Sequence, residues 1–132
     1  MAICPTFTLT PQVRILLWVA QALLAATFVW GAYVKLTLPI AQLAAMWPWT
    51  GDLPVHLVRL LGMIDLAGGL GVTLPALLRI YPALTLVAAR GCAMLQVCAM
   101  VFHATRGEFG VLPVNLVLFG LALFIAWGSA RN

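Results

Sequence analysis

The sequence predicts an all-α integral membrane protein, a four-helix bundle with a short interfacial helix between the first and second spans. Three observations carry this. Hydrophobic residues make up 64% of the 132 and charged ones 8%, against about a quarter charged in an ordinary soluble domain. Mean hydropathy is +1.11, so the chain lacks the polar residues to cover itself and takes lipid as its solvent. Four apolar runs, each near the ~20 residues a helix needs to cross the hydrocarbon, fill most of its length.

The first run covers 13–34, with Thr10 placed as N-cap and Pro11 in the first turn. The connection KLTLPIAQLAAMWPWTGDLP follows. In it Ile40, Leu43, Ala44 and Trp47 recur at helical spacing beside Trp49, and tryptophan favours the headgroup level. The segment 39–47 therefore reads as an interfacial helix on the mouth of the bundle, with an irregular loop as the alternative. The second span, 55–74, is opened by Asp52 and Pro54 and closed by Pro75. The third and fourth cover 82–104 and 111–128. A single transmembrane domain then spans 1–132.

A net charge of +4 comes from seven basic and three acidic residues. The basic residues stand singly, without the cluster or stripe that nucleic acid requires, so they read as membrane-end anchors and no nucleic-acid partner is expected. Cys4, Cys92 and Cys98 are odd in number and form no C-x-x-C, so neither a disulfide framework nor a dithiol pair is expected, and Cys92 and Cys98 read as small packing residues. A removable signal peptide is not expected, because the first run is too long for one and no small-x-small site follows it. With four spans both termini share a side, which holds Arg14, Arg79 and Arg131 against Lys35 and Arg106. The positive-inside rule makes that side cytoplasmic.

Ionisable groups at mid-membrane are expensive and turn toward the bundle interior to find partners. Asp65 stands near the middle of the second span, flanked by Gly62 and Gly69 on one helical face. Arg90, on the antiparallel third span, is its expected partner, either to fix packing register or as the floor of a polar cavity. Toward the outer end lie His56, Arg59, Gln96, His103 and Asn115, while Gln21, Ala25, Phe28, Ala32 and Lys35 form one stripe of the first span. These groups predict a cleft with Arg59 at its mouth and Asp65 at its floor. The alternative has Arg59 snorkelling to the interface with His56. The glycines of GGLGV suit either internal packing or a contact between copies, and a homo-oligomer is favoured.

The ordered segments FVWGAYVKL, LPVHLVRLLGMIDLAGGLGVTLP, AMVFHATRGEFG and NLVLFGLALFIAWGSAR resemble the DoxX-like family of small bacterial four-helix membrane proteins. The set that carries the resemblance is Lys35, Arg59, Gly62, an acid at 65, and His103-x-x-Arg106-Gly107-Glu108. At position 65 the family's usual acid is glutamate, so Asp65 is one methylene shorter. The resemblance implies the bacterial inner membrane, a ligand-binding part for Arg106 and Glu108, and an association with quinone-linked sulfur oxidation or oxidoreductase assemblies.

The expected function is the binding of a quinone or other lipid-soluble small molecule in the cleft, as part of a redox-linked membrane assembly. Lys35, His56, Arg59, Arg90, Gln96, Arg106, Glu108 and Asn115 are the candidate ligand-binding residues. With no haem pair, flavin fingerprint or cysteine cluster in the sequence, no intrinsic cofactor is expected, and electrons would pass through a membrane redox partner. A cofactor-free enzyme is the second reading, with Asp65 and His103 as catalytic acid and base for isomerisation or elimination. A structural or assembly subunit is the third. No metal site is expected, because no H-E-x-x-H or similar ligand spacing occurs.

Overall fold

The computed structural model describes residues 8–131, so Cys4 lies outside the described residues. Five α-helices follow one another: α1 (Pro11–Thr37), α2 (Ile40–Met46), α3 (Val55–Leu78), α4 (Pro82–Thr105) and α5 (Leu112–Ser129). Single 3₁₀ turns at Pro48–Asp52 and Phe109–Val111 precede α3 and α5. The spans α1, α3, α4 and the segment containing α5 are each long and apolar enough to cross a membrane. Inside a bilayer each backbone polar group must bond within its own helix, which is why so apolar a chain folds this way.

At the start of α1 the Thr10 hydroxyl accepts the Val13 N–H at 3.3 Å, with Pro11 at the first helical position. The end of α3 differs from expectation. The sequence places the terminator at Pro75, yet the helix runs through it to Leu78 and stops at Arg79, in the left-handed region at φ 53°. Proline removes one helical hydrogen bond and crowds the carbonyls of the preceding turn. Here a group from another helix meets one of them: Gln21 of α1 donates to the Val72 carbonyl, three residues before Pro75, at 2.7 Å. Asp52 does not open α3 as its position in the sequence suggests, because the cap position belongs to Pro54 and makes no side-chain bond.

The spans form an up-down ring in which α1 packs on α3 and α5, and α4 completes the circle between them. Leu24, Phe28, Val72, Ala89, Cys92, Ala122 and Ile125 are buried in the main core. A second, smaller core holds Val34, Leu43 and Val58, and anchors α2 across one end of the ring. That end is the α2 end. The opposite, terminal end holds the start of α1, the α3–α4 connection and the finish of α5.

Close approach at glycines sets the register. A Cβ on Gly62 would come within 2.9 Å of the Lys35 Cβ, and one on Gly71 within 2.7 Å of the Ala88 Cβ, so neither position has room for a larger residue. The glycines of GGLGV thus serve packing inside the bundle. Outside it, Leu23, Leu60, Met63, Val87, Met94 and Val117 are exposed and face lipid.

Candidate functional site

Arg90 is not the partner of Asp65. The α3–α4 register, fixed where Gly68 meets Cys92 and Gly71 meets Ala88, sets Arg90 opposite about residue 70. That is about 8 Å along the axis from Asp65. Arg90 is exposed on the outside of α4, with no ion pair among the described residues. Helical side chains lean toward the N-terminus of their helix, which draws Arg90 to the terminal end.

Asp65 pairs instead with Lys35 of α1, through Nζ and Oδ2, with both side chains largely buried. The Lys35 ammonium also lies 5.6 Å from the ring centre of Trp47 and 5.7 Å from that of Trp49. Those two rings are stacked, 6.4 Å apart at 14°. One carboxylate and two aromatic faces therefore surround the cation, an arrangement that compensates a charge removed from water.

Arg59 caps α1. Its guanidinium donates to the carbonyl of Lys35 and, at 2.9 Å, to that of Leu38. Carbonyls in the last turn of a helix lack intrahelical partners and carry its negative dipole end, so a cation there satisfies both needs. Arg59 neither snorkels outward nor marks a cavity mouth. The space expected between it and Asp65 is taken by Lys35 and covered by the tryptophans.

A second layer closes over the first. Trp49 packs edge-on against Phe102 and His103, at 5.9 and 6.1 Å. Arg106 donates through Nε to Glu108 at 2.5 Å and through a terminal nitrogen to Asp52 at 2.6 Å, which ties the 3₁₀ turn before α3 to the end of α4. These bonds hold the Glu108 carboxyl below its ordinary value and raise the Arg106 guanidinium further. His103 Nδ1 stands 3.5 Å from Glu108 Oε1, within ion-pair reach but without a hydrogen bond.

Three candidate residues on this side of the bundle carry buried polar atoms with no hydrogen-bond partner: Gln96 Oε1, His103 Nδ1 and Asn115 Nδ2. Gln96 and His103 lie seven apart on one face of α4, and Asn115 stands in the first turn of α5. His56 is exposed on the first turn of α3 and stands apart from the cluster. Gln21, placed in the cleft-lining stripe, belongs to the other half of the molecule, where it supports the Pro75 turn. Sequence reasoning passed over the Asp52–Arg106 link and the tryptophan cover. The signal was present, since Asp52 and Arg106 end adjacent antiparallel spans on the same side.

A ring of four apolar helices around a lysine–aspartate pair, closed at one end by a tryptophan-bearing helix, defines a small multi-pass membrane protein of the four-helix class. The DoxX-like family pattern matches residues 19–125, and the chain belongs to that family. Neither a curated protein nor a solved structure matches it.

Proposed function

We propose that the α2 end binds a small lipid-soluble carbonyl compound, of which a quinone is the best-fitting class, within a redox-linked membrane assembly. The observation that carries this reading is the set of unpartnered buried atoms on Gln96, His103 and Asn115. Buried polar groups are nearly always bonded, so several unsatisfied ones on one side of a bundle suit a ligand. Their chemistry is mixed: the Gln96 oxygen accepts, the Asn115 amide nitrogen donates, and an imidazole nitrogen does either. A quinone offers acceptors and its reduced form offers donors, so such a set holds both. Access requires Trp49 to swing aside, with the Asp52–Arg106–Glu108 link as its latch. A partner protein supplies the electrons, because the sequence holds no electron carrier.

Acid–base catalysis is less well supported, because Asp65 is engaged by Lys35. The test is titration of a short-chain quinone into the nanodisc-reconstituted protein, read as quenching of tryptophan fluorescence, with mass spectrometry of co-purified quinone. Saturable quenching is expected, weakened about tenfold in Gln96→Leu and in Asn115→Leu, as the loss of one buried hydrogen bond implies. Absence of saturable binding would leave the polar cluster as a lock between helices.

A further inference from the structure

At the terminal end, far from the lysine–aspartate pair, a cleft of about 400 Å³ opens among α1, α3, α4 and α5. Leu17, Trp18, Pro75 and Ile125 form apolar wall, while Arg14 and Arg79 line it with positive charge. Neither arginine makes an ion pair among the described residues. The three acidic side chains of the chain, at 52, 65 and 108, all lie elsewhere. The uncapped N-terminus of α4, with Pro82 on the cleft, adds the positive end of a helix dipole.

Thr85 supplies the independent sign of a ligand. Its residue surface is 4% exposed, it lines the cleft, and its hydroxyl is buried without a partner. Other helical threonines, Thr27, Thr37, Thr73 and Thr105, each donate to a carbonyl three or four residues back in their own helix. Thr85 makes no such bond: it stands in the first turn of α4, and the carbonyl four back, that of Tyr81, already accepts the Leu84 N–H at 2.8 Å. Its hydroxyl is left for whatever occupies the cleft.

We propose that this cleft binds an anionic amphiphile, with its phosphate or carboxylate head between Arg14 and Arg79, a head-group oxygen bonded to the Thr85 hydroxyl, and its chain along the apolar wall. Guanidinium groups suit such heads by geometry as well as charge. Basic recesses between membrane helices bind anionic lipid heads on the same principle.

The test uses the full-length protein in nanodiscs of equal phosphatidylcholine and phosphatidylglycerol, with retained lipid measured by native mass spectrometry. A preference for phosphatidylglycerol is expected. It falls at least about tenfold in Arg14→Gln/Arg79→Asn and stays unchanged in Arg90→Gln/Arg131→Gln, which loses the same charge. Thr85→Val, nearly isosteric, weakens retention about fivefold, and keeps the test open if the double variant fails to fold. Dodecyl phosphate raises the melting temperature in neutral detergent, whereas inorganic phosphate at the same concentration does not. No lipid preference, an equal loss in the charge-matched control, or equal stabilisation by inorganic phosphate would each overturn the proposal.

Discussion

Asp65 illustrates what one residue type costs inside a membrane and how the fold answers it. Leaving a carboxylate or an ammonium alone among apolar side chains costs several kcal/mol, and pairing the two removes most of that penalty. Asp65→Asn or Lys35→Met alone is therefore expected to lower the free energy of unfolding in detergent by about 3 kcal/mol, whereas the double change Lys35→Met/Asp65→Leu recovers much of the loss. Equal, additive losses in a denaturant titration would show that the pair is not coupled. That Asp65 turns inward near mid-depth was legible from its neighbours Gly62 and Gly69. Its partner was not, because the choice between Lys35 and Arg90 depends on a register of a few ångströms that glycine contacts across two interfaces decide. Lys35 stands near the end of α1, but its four-carbon stem reaches back toward the helix N-terminus and so deeper into the bundle.

At the scale of elements, hydropathy and length announced the four spans, and the spacing of Ile40, Leu43 and Trp47 announced α2. The continuation of α3 through Pro75 was hidden, since it rests on Gln21 from another helix. Close approach makes a direct prediction. Gly71→Ala drives a methyl into Ala88 and is expected to destabilise the protein by about 1 to 3 kcal/mol, as overpacking of a tight interface does. Gly120→Ala, where nothing lies within 4 Å, is expected to be neutral or slightly stabilising through helix propensity. Parallel unfolding curves of the two variants check both. The role of α2 as cover was only half legible: its place at the interface followed from tryptophan, but the stacking of Trp47 and Trp49 over Lys35 follows from the second core around Leu43.

Across the whole molecule the charges separate. Asp52, Arg106 and Glu108 form a latch at the α2 end, while at the terminal end Arg14 and Arg79 make no ion pair among the described residues. The latch responds to pH with a definite sign. Glu108 has its carboxyl lowered, first by the hydrogen bond from Arg106, and His103 and Arg106 are the charged or titratable groups that face it. A carboxyl lowered in the folded state contributes stability that is present in full above the ordinary glutamate value of about 4.3, and is lost as pH falls through the lowered value. Above that range Glu108 holds the Arg106 guanidinium where it donates to Asp52 of the 3₁₀ turn carrying Trp49, and below it that hold is lost and the tie of the turn to α4 weakens. With 5-fluorotryptophan in place of tryptophan, the ¹⁹F resonance of Trp49 is expected to shift toward its solvent-exposed position on acidification and to become accessible to a water-soluble paramagnetic quencher. The resonance of Trp127, which stacks on Phe124 at the other end, is expected to stay put. Glu108→Gln should expose Trp49 partly at neutral pH and flatten the profile, and added salt should act in the same direction because the latch is exposed to water. A Trp49 resonance that ignores both pH and Glu108→Gln would mean that α2 is held by its buried Leu43 alone, with the ionic latch contributing nothing.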